Sequence, residues 1–176
     1  HVLEIGSGTG IQIITSSEFA KMCKAIDYNK RAVEYTRLNI AINKIKNIQT
    51  YYSNIFENVE GKFDLILVNP WFIDLEKGGL EEVPYIMKDI DQYLEKNGLC
   101  LMLLNSYIKN GKDTAYDYFK NFVESTSYDL DLYTIGYNIE TFRIKDYKKY
   151  GVDYYVSYFV VIKININSKL KRCETS

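Results

Sequence analysis

Short apolar runs alternate with helical patterns along the 176-residue chain. Buried strands are predicted at HVLEIG, KAIDY, NIQTYYS, KFDLILVN and GLCLMLLN, and two more at LDLYTIG and YYVSYFVVIKI. Helices are predicted between them at IQIITSSEFAKMC, NKRAVEYTRLNIAINK, about Leu80 to Leu94, and DTAYDYFKNFVEST. In the second helix, Val33, Thr36 and Ile40 recur at helical spacing, which predicts one buried face. Asn97-Gly98 is the expected stop after the third helix.

Apolar strands separated by helices are typical of a parallel sheet that is covered on both faces. We therefore expect an α/β fold: a Rossmann-like, doubly wound and mostly parallel seven-stranded sheet, with helices on both faces and an antiparallel last strand. Residues 1–166 are expected to form one domain, followed by a polar tail over residues 167–176. Because His1 leads directly into a strand, we expect a further N-terminal part upstream of this domain.

Composition narrows the classes of function. Hydrophobic residues make up 47% of the chain, charged residues 26%, and the formal net charge is −1. This balance gives no general attraction to nucleic-acid phosphates, so RNA binding would need a local basic patch. No apolar run reaches the roughly 18 residues of a membrane span. The three scattered cysteines, without a C-x-x-C pair, favour a reducing compartment such as the cytoplasm and argue against zinc.

The stretch VLEIGSGTG contains the first candidate site. Gly6, Gly8 and Gly10 follow the first strand, at the sheet edge where doubly wound folds bind ligands. Glycine lets the backbone turn sharply and approach a ligand, and the next helix directs its first N–H groups there. Asp27 ends the second strand 21 positions after Gly6, close to the roughly 20-residue offset of an acid that binds ribose hydroxyls. An acid that only caps a helix or lies exposed is the alternative for Asp27.

The glycine spacing distinguishes two cofactors. A dinucleotide fingerprint, G-x-G-x-x-G, would need glycine at position 11, which is Ile11, so a nicotinamide-dependent dehydrogenase is disfavoured. The pattern E-x-G-x-G-x-G instead resembles class I S-adenosylmethionine-dependent methyltransferases, from Val2 to about Ser106. The resemblance implies that the loop surrounds the methionine end of the cofactor, with Glu4 helping to position it. It also implies that Asp27 holds the ribose.

The same resemblance implies contacts to the adenine. Tyr28 is expected against the adenine face, and Asn54 occupies the place where the family often has an aspartate that reads the amino group. An amide can do part of that work. The residues implied to bind S-adenosylmethionine are Glu4, Gly6, Ser7, Gly8, Gly10, Asp27, Tyr28, Asn54, Ile55 and Asn69.

The fourth predicted strand ends in Asn69-Pro70-Trp71-Phe72. This resembles the N-P-P-[YF] signature of methyltransferases that act on amide or exocyclic amino nitrogens, such as release-factor glutamine, adenine N6 or ribosomal RNA guanine N2. Trp71 replaces the second proline, and it could narrow the pocket or provide a stacking face. The alternative is an Asn-Pro pair that only ends a strand in a turn.

The residue types suit that chemistry. The side-chain carbonyl of Asn69 and the backbone carbonyl of Pro70 can each accept a hydrogen bond from a target NH₂, which orients its lone pair and stabilises the developing positive charge. Phe72 and Trp71 can stack on a planar acceptor. We therefore expect Asn69, Pro70 and Phe72 to be catalytic, and Trp71 and Phe72 to bind substrate. No acidic cluster follows this strand, so no metal is expected.

The sequence thus predicts methyl transfer from S-adenosylmethionine to nitrogen. A protein amide such as glutamine, an RNA base amine and a small molecule remain open as acceptors, and the near-neutral charge favours protein or small molecule. The alternative is a non-catalytic protein of methyltransferase fold, the partner of an active subunit. Trp71 and Asn54 are the residues that keep this alternative open.

Overall fold

The computed structural model describes residues 1–70, 82–125, 128–138 and 152–164. The helices in these ranges are α1 (Ile11–Ser16), α2 (Lys30–Ile42), α3 (Val83–Tyr93) and α4 (Thr114–Ser125). The strands are β1 (Val2–Ile5), β2 (Cys23–Asp27), β3 (Ile48–Tyr52), β4 (Phe63–Val68), β5 (Leu94–Lys109), β6 (Lys112–Asp113), β7 (Tyr128–Asn138) and β8 (Val152–Ile164).

One compact unit comprises His1–Asn69 and Pro84–Leu101. Its strands follow the order β3-β2-β1-β4-β5, and the pairs β1–β2, β1–β4 and β2–β3 are parallel. Ile5, at the end of β1, is the register partner of both Ile26 and Val68. These pairings bring the carboxyl ends of β1, β2 and β4 to one edge of the sheet.

Both faces of the central strand β1 are covered. All four of its residues are buried, although alternate residues of a strand point to opposite faces. Helix α1 packs on β1 and β2, and α2 packs on β2 and β3. The core cluster on the α1 side consists of Val2, Ile13, Cys23, Ala25 and Leu67. Burial on both faces explains why three of its four residues are apolar, with Glu4 as the exception.

A second unit includes the described residues from Met102 onward. Its strand order is β5-β8-β7, with the short β6 paired antiparallel to β5. Asn110 and Gly111 join β5 to β6, and both have the positive φ that a type I′ hairpin turn requires. β7 and β8 pair antiparallel, with a register shift between Thr134 and Gly136. The predicted mostly parallel α/β architecture is confirmed, and the last strand, β8, runs antiparallel to β7. The described residues form eight strands where the sequence predicted seven, because the two-residue β6 is added beside β5.

Helix α1 is shorter than the sequence predicted, because it ends at Ser16 and does not continue to Cys23. The hydroxyls of Thr15, Ser16 and Ser17 donate to carbonyl oxygens three or four residues earlier in the chain. The Asn47 amide then donates to the carbonyls of Ser17 and Ala20, which fixes the chain outside the helix. Hydroxyl bonds of this kind compete with helix propagation.

The predicted stop at Asn97-Gly98 is wrong, because α3 ends at Tyr93 and these residues lie inside β5. Gly98 does not have the positive φ of a helix-ending glycine. A Cβ at this position would lie 2.7 Å from the carbonyl oxygen of Phe63 on β4. Gly98 therefore allows a close backbone approach inside the sheet. The expected polar tail, residues 167–176, lies outside the described residues, and the single-domain boundary stays a prediction.

Candidate functional site

Four strand ends contribute the candidate residues, and all four belong to the first compact unit. Gly6 follows β1, Asp27 ends β2, and Asn69 follows β4. Asp27 is the register partner of Tyr52, so Asn54 follows β3 just beyond the same edge. Adjacent strands lie about 4.8 Å apart, so the parallel register brings these residues into one row.

The loop Gly6–Gly10 depends on glycine for two different reasons. Gly6, Gly8 and Gly10 have φ values of 74°, 56° and 80°, which L-residues rarely adopt. A Cβ at Gly6 or Gly8 would meet nothing within 4 Å, so open space lies over both residues. A Cβ at Gly10 would instead lie 2.8 Å from Cγ2 of Thr36 on α2. Gly6 and Gly8 thus leave room for a ligand, whereas Gly10 permits packing against α2.

The Asp27 carboxylate is fixed against the loop. Its side chain is 8% exposed, its Oδ2 accepts from the Gly8 N–H at 3.0 Å, and its Oδ1 accepts from the Asn29 N–H at 2.8 Å. The bond to Asn29 shapes the turn before α2, but the N-cap of this helix is Asn29 itself. The bond to Gly8 connects the same carboxylate to the glycine loop. Asp27 is thus neither the cap of α2 nor an exposed acid.

Glu4 lies beneath the loop as a buried acid. It is 3% exposed, and its Oε2 accepts from the Ile13 N–H of α1 at 3.1 Å. Burial raises the pKa of Glu4 from 4.5 to about 8; the hydrogen bond from Ile13 opposes this shift, and the nearby Asp27 charge adds to it. Glu4 is thus mostly protonated at neutral pH, and the Ile13 N–H has a partner inside the protein.

The turn after β3 holds Asn54 and Ile55. Asn54 is exposed, and Ile55 has a φ of 49°, which is strained for a β-branched residue. The Ser53 hydroxyl donates to the Ile55 carbonyl at 2.9 Å and accepts from the Asn58 N–H at 3.0 Å. This hydrogen-bonded turn keeps Ile55 in its unusual conformation.

Helix α2 supplies two loop contacts that the sequence analysis did not assign to the site. The Thr36 hydroxyl donates to the Gly8 carbonyl at 3.2 Å and lies 3.1 Å from the Ser7 hydroxyl. The Asn39 amide donates to the Thr9 carbonyl at 2.9 Å. Helical spacing placed Thr36 on the buried face, and its polar side chain there was the available signal.

Of the predicted residues that remain, the structure describes Tyr28, Asn69 and Pro70. Tyr28 is 63% exposed beside Asp27, so its ring has a free surface. Asn69 is exposed and Pro70 is buried. Trp71 and Phe72 lie outside the described residues, so their predicted roles stay predictions.

The residues present fit S-adenosylmethionine. Open space over Gly6 and Gly8 leaves room for a ligand beside the backbone. The Glu4 carboxyl can accept a hydrogen bond from an ammonium group, and the Asp27 carboxylate can accept from hydroxyl groups. Within the described ranges, no group of three or more His, Cys, Asp and Glu side chains is placed to hold a metal ion. The helices in these ranges also lack the length and apolar character needed to cross a membrane.

Comparison with known proteins places the site in a family. The model of the methyltransferase small domain matches residues 1–130. A protein of Methanocaldococcus jannaschii, named for N5-glutamine methyl transfer to protein, is 35% identical over 130 residues, which cover 64% of this chain and 65% of that protein. Ribosomal RNA small subunit methyltransferase C of Escherichia coli is 26% identical over 109 residues, which cover 61% of this chain and 32% of the relative. The chain thus spans less than two thirds of the length of these curated relatives.

A solved structure supports the fold. The ribosomal protein L11 methylase of Lactobacillus delbrueckii subsp. bulgaricus superimposes with a TM-score of 0.67 at 19% identity, covering 93% of this chain and 69% of that chain. At this identity the likeness shows a shared Rossmann-like fold. Methyltransferase family members use S-adenosylmethionine as methyl donor. The family match covers most of the chain and includes the glycine loop, Asp27 and Asn69, so the chain belongs to the methyltransferase small domain family.

Proposed function

We propose that this chain is the catalytic core of an S-adenosylmethionine-dependent methyltransferase that acts on an amide or amino nitrogen. The observation that carries the proposal is the row of strand ends, where Gly6, Asp27 and Asn69 follow register-paired residues of three adjacent parallel strands. One edge therefore offers a donor site on β1 and β2, with an acceptor-binding amide beside it on β4.

Specific residues would hold the cofactor. The open backbone of Gly6 and Gly8, with Ser7 between them, would receive the methionine end above Glu4. Asp27 would accept from the ribose hydroxyls, because its carboxylate is already fixed by two backbone N–H groups. Tyr28, Asn54 and Ile55 would contact the adenine. When bound, S-adenosylmethionine would supply an electrophilic methyl on its sulfonium sulfur, with the thioether as leaving group.

The chain itself acts mainly on the acceptor nitrogen. The Asn69 side-chain oxygen and the Pro70 carbonyl would accept the two N–H hydrogens, so that the lone pair points toward the donor site. The same oxygens stabilise the positive charge that grows on nitrogen during transfer. The extra proton becomes acidic once the methyl is attached and can leave to water. Holding donor and acceptor about 3 Å apart supplies much of the remaining acceleration.

A protein amide is the acceptor that we favour. The relative with 35% identity is named for N5-glutamine methyl transfer to protein, and a formal net charge of −1 gives no general attraction to RNA. Trp71 and Phe72 are proposed to stack on the planar acceptor group.

We also infer that the protein works in the cytoplasm. Cys23 and Cys100 are buried free thiols in the described part of the chain, as expected in a reducing compartment.

The test uses methyl-labelled S-adenosylmethionine in a cell extract, with the products divided by protease and by ribonuclease. Asn69→Ala should lose at least about a hundredfold in transfer, a much larger loss than any in cofactor binding, since its carbonyl acts mainly on the acceptor. Asp27→Ala should weaken cofactor binding. Asn121→Ala, an exposed asparagine on α4, is the matched control and should change neither quantity.

Each outcome has a distinct meaning. Protease-sensitive label supports the protein acceptor, and ribonuclease-sensitive label would replace it with RNA. Near-normal transfer by Asn69→Ala would contradict the mechanism. Cofactor binding without any transfer by wild type would favour a non-catalytic partner.

A further inference from the structure

We propose that Thr36 of α2 is a positioning residue of the donor site: its hydroxyl holds the glycine loop in the conformation that accepts the cofactor. The inference rests on the proposed function and adds a residue from a helix that contributes no side chain to the predicted set. Thr36 is fully buried, so its polar atoms must find partners inside the protein.

The direction of each hydrogen bond around Thr36 follows from the number of donors and acceptors in a hydroxyl group. Each hydroxyl has one hydrogen to donate and two lone pairs with which to accept. The Thr36 hydroxyl donates its hydrogen to the Gly8 carbonyl, and the two oxygens lie 3.2 Å apart. The Ser7 hydroxyl, 3.1 Å away, must therefore donate to Thr36. One side chain thus fixes two consecutive residues of the loop.

The Gly8 peptide is held from two sides. Thr36 binds its carbonyl, and Asp27 binds its N–H at 3.0 Å. One helical turn beyond Thr36, Asn39 binds the next carbonyl, that of Thr9, at 2.9 Å. Gly8, with φ +56° and open space above it, is therefore fixed in an uncommon conformation by β2 on one side and α2 on the other.

The Thr36 methyl has a separate role. A Cβ at Gly10 would lie 2.8 Å from Thr36 Cγ2, so the methyl occupies the space that a larger loop residue would need. Valine at position 36 retains this shape but loses the hydroxyl, and serine retains the hydroxyl but loses the methyl. The two substitutions therefore separate hydrogen bonding from packing.

Loss of the hydroxyl should reduce the population of the binding conformation. With valine at position 36, the Gly8 carbonyl and the Ser7 hydroxyl lose their buried partner, so loop conformations that expose them to water gain population. The apparent dissociation constant rises as the competent fraction falls. A positioning role of this kind weakens donor binding but leaves the chemistry of the bound complex intact.

The experiment compares wild type, Thr36→Val and Thr36→Ser by calorimetric titration with S-adenosylmethionine and by steady-state kinetics. Thr36→Val should raise the dissociation constant and the donor KM about tenfold, with kcat at saturating donor within about twofold of wild type. Thr36→Ser should restore both constants to within about twofold. If Thr36→Val does not fold, Thr36→Ala removes the same hydroxyl with better helix propensity and should show the same loss.

Several results would overturn the proposal. Unchanged affinity in the valine variant (or in the alanine variant, where valine does not fold) would do so, as would a serine variant as weak as valine. If wild type binds no S-adenosylmethionine, the proposed function fails. The positioning role is then tested separately, by amide hydrogen exchange of Gly8 and Gly10 in the free protein. Exchange about tenfold faster in Thr36→Val supports it, and equal rates refute it.

Discussion

At the scale of single residues, Glu4 carries a carboxyl group into the interior of the protein. The folded protein binds its proton more tightly than the unfolded chain does, because the pKa of Glu4 rises from 4.5 to about 8 on burial. The contribution of Glu4 to stability is therefore greatest below about pH 4.5 and is lost as the pH rises toward 8. Since one pKa unit corresponds to about 1.4 kcal/mol, the loss over this window is a few kcal/mol.

Glu4→Gln should remove this part of the pH dependence. Glutamine retains an oxygen that can accept from the Ile13 N–H, but it cannot ionise. The measurement is the free energy of urea unfolding of the cofactor-free protein at pH 5.0 and at pH 8.0. Wild type should lose more stability between the two than Glu4→Gln does. Glu18→Gln, at an exposed acid beyond α1, is the control and should behave like wild type, and equal slopes for all three proteins would contradict the prediction.

Spacing along the chain predicted where some candidate residues lie but not the contacts of others. Asp27 could be predicted because its distance from Gly6 along the chain fixes its place at the neighbouring strand end. The contact of Thr36 with Gly8 joins residues 28 positions apart, and it depends on how far α2 rotates about its axis. Helical periodicity predicts that Thr36 lies on the buried face of α2, but it does not predict which atom the Thr36 hydroxyl contacts. The raised pKa of Glu4 likewise depends on burial by chain segments that are distant in sequence.

At the scale of elements, the start of α2 is linked to the end of β2 and to the glycine loop. It begins after Asn29, whose side-chain oxygen accepts from the Arg31 N–H at 3.0 Å. Asp27 in turn accepts from the Asn29 N–H. The start of the helix and the proposed donor site therefore share one hydrogen-bonded turn.

Asn29→Ala should destabilise the protein by about 1 kcal/mol, because the first turn of α2 loses its side-chain cap. Asn29→Ser retains a capping oxygen and should lie within a few tenths of a kcal/mol of wild type. Thermal or urea unfolding of the three proteins provides the measurement. A serine variant as unstable as alanine would show that the cap is not the source of the effect.

The existence and type of the long elements followed from periodicity, but their ends did not. α1 is cut short by hydroxyls that bond back to the backbone, and helical patterning does not report that competition. β6 contains only Lys112 and Asp113, too few residues to produce a pattern. Asn110-Gly111, a pair suited to a type I′ hairpin, was a signal for its turn that the sequence analysis did not use.

At the scale of the whole molecule, the alternation of apolar runs and helical patterns was enough to predict the α/β class, because connections between parallel strands need crossover helices. The strand order also brings the candidate residues together, although they are spread from Glu4 to Asn69. The fold alone does not determine the methyl acceptor, because one fold hosts many chemistries.

The backbone contact at Gly98 has a consequence for interpreting mutational surveys of this domain. The three atoms nearest to a Cβ there are backbone atoms of Phe63 and Glu95, so the movement of a side chain does not relieve this clash. Gly98→Ala should cost about 1–3 kcal/mol and lower cellular abundance and methyl transfer together. Asn69→Ala should lower transfer at normal abundance. Normal abundance of Gly98→Ala would contradict this view.

Intolerance to substitution would then have two different causes, one at Gly98 inside β5 and the other at Asn69 after β4. Substitution at Gly98 would lower the amount of folded protein in the cell. Substitution at Asn69 would lower the methyl transfer by each protein molecule. A fitness score alone would rank Gly98 with the residues of the candidate site, so abundance and turnover have to be scored as separate axes.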